Sequence, residues 1–158
     1  MSVPAIGESY RGVEGHSSCY LLRQAWLALS GAMEMSLRPH GLTTAQYGVL
    51  SVLAREPGAS GADLARACNT TAQAMNGVLA TLEREALIER RPHPTHGRIL
   101  QVTLTTEGQR RLEAAHPAVR ALRRAIERDF TSDEIATVKS WLVATAQRLG
   151  RATESRAA

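Results

Sequence analysis

The sequence predicts a mainly α-helical chain with one small β-wing, and three stretches between residues 42 and 108 point to it. Ser60-Gly61-Ala62-Asp63-Leu64-Ala65-Arg66-Ala67-Cys68 reads as a short helix, because a hydroxyl that can cap it is answered by an acid three residues later. Thr70 to Ala86 reads as a second helix with a cap of its own. Leu87 to Arg91 and Ile99 to Leu104 read as two strands around a Pro/His/Gly-rich turn. Helix, turn, helix and then a basic hairpin is the order of a winged helix-turn-helix, a device that reads duplex DNA.

The remaining elements follow from periodicity. Residues 1–15 hold Pro4, Gly7, Gly12 and Gly15 with little apolar pattern, and a flexible arm is expected. Leu21, Leu22, Ala25, Trp26, Leu29 and Met33 recur at helical spacing, and that helix should stop near Pro39 with Gly41 just beyond. A second helix from Thr44 turns Tyr47, Leu50 and Leu53 inward and ends at Pro57-Gly58. After the hairpin, Thr106 to about Phe130 carries the stripe Leu112, Val119, Leu122 and Ile126, with Pro117 expected to kink it. Thr131-Ser132-Asp133-Glu134 is a capping box that opens a last helix, with Ile135, Val138, Leu142 and Leu149 inward and residues 150–158 frayed. The reading is therefore a single domain over 1–158. Its DNA-reading part is 42–105, flanked by helices over 17–41 and 106–149. Those flanking stripes exceed what one small winged helix can bury, which points to a second copy of the chain.

Composition bounds the class without naming a function. A length of 158 residues suits one domain, and 44% hydrophobic content with 4% aromatic means an aliphatic core. A net charge of +4 and a pI near 9.7 permit an anionic partner. Arginines outnumber lysines eighteen to one, which suits bidentate contacts to phosphate and guanine, although Arg-biased codon usage explains the ratio equally well. Cys19 and Cys68 form no disulfide framework. With no secretory pattern and no apolar run near 20 residues, a soluble cytoplasmic protein is expected. No nucleophile elbow, phosphate-cradling glycine loop, zinc-ligand set or catalytic carboxylate pair is present, so neither an enzyme nor a cofactor is expected. His93 and His96 in the wing are too few ligands for a metal site. The rival class is a dimeric interaction module on the same fold that binds no DNA.

On the second helix of the motif, Met75, Val78, Leu79 and Leu82 share one face. Gln73, Gly77, Ala80 and Arg84 share the opposite face, with Asn76 at its edge. A small, polar, uncharged face fits a major groove, where Gln73 and Asn76 can read base edges. Either Thr70 or Thr71 can cap this helix, and a Thr70 cap would tie up Gln73 in a capping box. Gly77 costs about 1 kcal/mol against alanine, and either close approach to a phosphate or helix packing would account for it. Arg90 and Arg91, at the strand base, divide between phosphate contact and a solvated face.

These stretches resemble the MarR family of winged-helix regulators. The matching residues are Leu42-Thr43-Thr44-Ala45-Gln46-Tyr47, Ala62-Asp63-Leu64-Ala65, Leu82 through Arg91, Gly97-Arg98, and Leu104-Thr105-Thr106-Glu107-Gly108. The resemblance implies a homodimer built by the first and last two helices, an inverted-repeat operator, and a small-molecule or oxidant signal that releases DNA. It favours Thr71 as the cap, since relatives often carry proline at the position of Ala72. It implies that Arg98 enters a minor groove, although His96 stands where the family usually has the acid that holds this arginine.

The resemblance also implies an effector pocket between the first, second and fifth helices, for which Trp26 and Tyr47 are candidates. Trp26 otherwise belongs to a dimer core. Cys19 stands at the position of the peroxide-sensing cysteine of organic-hydroperoxide repressors, but Arg23 and Met33 replace the tyrosines found around that thiol. Arg23 or His16 could still lower its pKa. A buried small hydrophobe is the favoured reading of Cys19, and Cys68 is expected to be packed.

Overall fold

The computed structural model describes residues 17–92 and 100–157, with side chains through residue 150. Helix α1 (Ser18–Leu37) runs into a 3-10 turn (Arg38–His40). Helices α2 (Thr44–Arg55), α3 (Gly61–Ala67) and α4 (Ala72–Arg84) follow. Strands β1 (Ile88–Pro92) and β2 (Leu100–Leu104) come next, and then helices α5 (Thr106–Glu127) and α6 (Ser132–Ala157). The chain divides into two compact units, residues 1–120 and 121–158.

The first unit is organised by its helix ends. Ser60 Oγ accepts from Asp63 N–H at 3.2 Å while the Asp63 carboxylate accepts from Ser60 N–H at 3.1 Å, closing the expected capping box. Thr43 and Gln46 close a second box on α2. Helix α3 ends with Asn69 at φ +49°, where Thr70 N–H reaches Ala65 C=O and Asn69 N–H reaches Arg66 C=O. This Schellman pair of bonds turns the chain sharply into α4. Helix α4 ends the same way at Ala86, φ +54°, and Leu87 N–H reaches Leu82 C=O at 2.9 Å. Pro39 lies inside the 3-10 turn after α1, and Gly41 takes the left-handed position.

The core gathers Leu37, Leu42, Val49, Leu50, Leu53, Leu64, Met75, Leu79, Leu82, Leu87, Ile88, Val102, Leu112 and Ala115. Strands β1 and β2 pair antiparallel with Ile88 opposite Leu104 and Arg90 opposite Val102. The Gly58–Ser60 segment lies along the other side of β2: Gly58 N–H donates to Val102 C=O and Val102 N–H to Ala59 C=O, each at 3.0 Å. The hairpin is thereby tied to the start of α3. Residues 93–99, with the turn that holds His93, His96 and Arg98, lie outside the described residues.

Four expectations meet a different outcome. Trp26, placed on an inward stripe, is 63% exposed, because Leu37 is the one residue of α1 that its own chain fully buries. Val138, Leu142 and Leu149 of α6, also expected inward, are exposed within the second unit. The last helix continues to Ala157 instead of fraying from residue 150, as the arginines, alanines and glutamate of that segment favour helix. Pro117 lies inside α5, which ends at Glu127, three residues before the expected Phe130.

Candidate nucleic-acid interface

Helix α4 separates its faces as the sequence requires. Met75, Leu79 and Leu82 are buried, Val78 is half-buried, and Gln73, Asn76, Gly77, Ala80 and Arg84 are exposed. Thr71 is the cap: its Oγ1 accepts from Ala74 N–H at 3.1 Å. Gln73 is therefore outside any capping box. Among the described residues, the Gln73, Asn76 and Arg84 side chains have no hydrogen-bond or ion-pair partner, so their full donor and acceptor capacity faces solvent. A Cβ on Gly77 would meet nothing among the described residues within 4 Å, so helix packing against them is not the reason for that glycine.

The two strand arginines differ. Arg91 is exposed and pairs with Glu89 at 2.9 Å, and Glu89 also accepts from Thr103 Oγ1 at 3.4 Å. Arg90 lies on the other face of β1, its side chain 21% exposed, with Nε 3.1 Å from Glu83 Oε2 of α4. That approach is an ion pair without hydrogen-bond alignment, since Arg90 Nε is buried and makes no hydrogen bond. Glu83 was not evident in the sequence as a partner, because its register across the α4–β1 turn depends on Ala86 taking the left-handed conformation.

Tyr47 is half-buried and meets His116 of α5 edge to face, ring centroids 6.0 Å apart at 87°. Trp26 and Tyr47 line none of the described clefts. One cleft of about 520 Å³ lies between the end of α1, the start of α2 and the end of α4, with Glu34, Arg38, Gln46 and Glu85 among its walls. Cys19, favoured as a buried hydrophobe, is exposed in the first turn of α1. Cys68 packs against the core, and burial pushes its thiol pKa up. Among the described residues no group of three His, Cys, Asp or Glu side chains could hold a metal ion, and no helix is long and apolar enough to cross a membrane.

A capped helix with an open polar face, set by a tight turn against a basic hairpin, defines a winged helix-turn-helix DNA-binding protein. The MarR family model matches residues 40–99. The chain is 38% identical over 102 residues to an HTH-type transcriptional repressor of Mycobacterium tuberculosis, covering 65% of this chain and 73% of that protein. It is 31% identical over 115 residues to the homoprotocatechuate degradative operon repressor of Escherichia coli, covering 72% and 77%. Among solved structures it resembles a mutant MarR of Escherichia coli complexed with operator DNA, with TM-score 0.75 and 25% identity over 80% of this chain and 91% of that one. The chain belongs to the MarR family of DNA-binding transcriptional regulators, which are not enzymes.

Proposed function

We propose that the protein works as a cytoplasmic homodimer that holds an imperfect inverted repeat and lets it go when a small effector binds. Helix α4 lies in the major groove, with Gln73 and Asn76 on base edges and Gly77 close to the backbone. Arg84 and Arg91 sit near phosphates, and Arg98 of the wing enters the adjacent minor groove. The observation that carries this reading is the α4 face itself: Gln73, Asn76, Gly77 and Arg84 are exposed and idle behind a buried Met75-Leu79-Leu82 stripe. The exposed Trp26, Leu29 and Met35 of α1, and Val138, Trp141 and Leu149 of α6, support a partner copy, since large apolar side chains gathered on helix faces mark an association surface. Two-fold symmetry would then space the half-sites by about one helical turn.

The test is duplex binding by fluorescence anisotropy at several salt concentrations, on a site recovered by genome-wide footprinting. Arg98→Ala should weaken binding strongly and lower the salt slope by about one counterion per lost phosphate contact. Gln73→Ala should relax preference at one base position. If neither change alters affinity or preference, the docking is wrong, and no duplex binding at low salt would favour the interaction-module reading. Light scattering at micromolar concentration should give twice the chain mass of 17.1 kDa.

For the signal, a small aromatic or anionic effector beside Trp26 and Tyr47 is the first reading. The exposure of Cys19 favours a second, in which an organic hydroperoxide oxidises that thiol.

A further inference from the structure

We propose that Arg90 is a positioning residue and not a phosphate contact: with Glu83 it forms a latch that fixes the wing against the DNA-reading helix. The proposal rests on the DNA-docking reading above and deepens it. Strand alternation turns Arg90 to the face it shares with buried Ile88 and Val102, while Arg91 points the other way. Its stem crosses from β1 to α4, and the guanidinium Nε is buried 3.1 Å from Glu83 Oε2. Asn76 and Ser60 border the same cleft, so the latch sits where α3, α4 and the hairpin meet.

Three features make this a coupling device and not a stray surface pair. Removing Glu83 leaves the Arg90 charge, 21% exposed, in a poorly solvated place, whereas the Arg91–Glu89 pair has both side chains open to solvent, at 73% and 43%. Glu83 and Arg90 stand on opposite sides of the turn at Ala86 and Leu87, the covalent hinge between reader and wing. The strand pair then carries any rotation of Arg90 along β1 toward the wing turn. A carboxylate on a DNA-binding helix is repelled by phosphate unless it is neutralised, and Arg90 is the cation that neutralises Glu83.

The test uses the full-length protein and the footprinted duplex, comparing Glu83→Gln, Arg90→Met and the double variant, with Arg98→Ala as a second background. A latch predicts that each single change weakens specific binding about tenfold and that the double loses no more than either single. The slope of log affinity against log salt should stay at the wild-type value in all three, and the losses should shrink in the Arg98→Ala background, where the wing has nothing left to place. Arg90→Lys should restore part of the affinity. Thermal midpoints of all variants show whether any loss comes from unfolding. A drop of about one in the salt slope for Arg90→Met, with Glu83→Gln binding more tightly than wild type, would make Arg90 a phosphate contact and overturn the latch. Additive losses that persist in the Arg98→Ala background would overturn it as well. Failure of the wild type to bind any duplex would instead sink the docking reading beneath it.

Discussion

Gly108 stands against the carbonyl of Leu87, so close that a Cβ at position 108 would lie 2.0 Å from Leu87 O and 2.9 Å from its carbonyl carbon. The contact is made by a small knot of backbone. Thr105 N–H donates to Leu87 C=O at 3.1 Å, Thr105 Oγ1 donates to Ala86 C=O at 2.7 Å, and Gly108 N–H donates to Thr105 Oγ1 at 3.0 Å. The knot joins the entrance of the hairpin to its exit and starts α5 there. Leu104-Thr105-Thr106-Glu107-Gly108 is thus needed for steric reasons as well as for capping.

Gly108→Ala should therefore destabilise by about 3 kcal/mol or more, since the obstruction is main chain and cannot swing aside. Chemical denaturation read by far-ultraviolet circular dichroism measures this. A loss below about 0.5 kcal/mol would mean the knot can open without cost.

Gly77→Ala makes the opposite prediction for stability. Nothing within 4 Å would meet the new methyl, so helix propensity should stabilise the protein by about 1 kcal/mol. If α4 approaches a phosphate or base edge at Gly77, the same variant should bind operator less tightly. Denaturation midpoints and anisotropy on one preparation give both signs. Higher stability with unchanged affinity would remove Gly77 from the interface.

Much of this architecture was legible in residues whose chemistry is local. The Ser60–Asp63 and Thr131–Glu134 boxes and the face pattern of α4 all depend on neighbours within a few positions. Thr70 and Thr71 were indistinguishable by that logic, because both precede a helical run, and the left-handed Asn69 decides between them by placing Thr70 in the turn. The exposure of Cys19 has a plain reason: helical periodicity says which side chains share a face and not whether the same chain covers it. Trp26, exposed within one chain, sits where a dimer-core residue of one protomer would. The Glu83–Arg90 pair was illegible because its partners meet only after a turn whose left-handed residue is alanine instead of glycine.

The capping acids predict how stability responds to acid. The Ser60 hydroxyl and N–H hold the Asp63 carboxyl below its ordinary value, and the Thr131 N–H and hydroxyl do the same for Glu134. Glu107 is lowered by its hydrogen bonds from Arg110. A carboxylate with a depressed folded pKa contributes stability above its unfolded value, and that contribution is lost as pH falls through the folded one. With reference values of 3.8 for Asp and 4.5 for Glu, the midpoint should hold steady at neutral pH and decline as pH falls below about 4.5. Asp63→Asn keeps an acceptor for Ser60 and removes the titration, so its acid decline should be shallower than wild type. An identical acid profile would show that the Asp63 cap does not contribute.

The nature of the signal is decided at Cys19. Its thiol is exposed in the first turn of α1, so an oxidant can reach it, yet Arg23 and Met33 stand where peroxide sensors of the family carry tyrosines. A ligand releases DNA only by binding the DNA-incompetent state better, and the release is bounded by that difference in affinity. Under the effector reading, Cys19→Ser should bind operator like wild type and still be released by small aromatic acids. Trp26→Ala should blunt that release without changing the affinity for DNA. Under the redox reading, organic hydroperoxide should release the wild type, dithiothreitol should restore binding, and Cys19→Ser should stay bound throughout. Anisotropy on wild type and both variants, with each agent in turn, separates the two, and the effector reading expects hydroperoxide to leave all three proteins on the duplex.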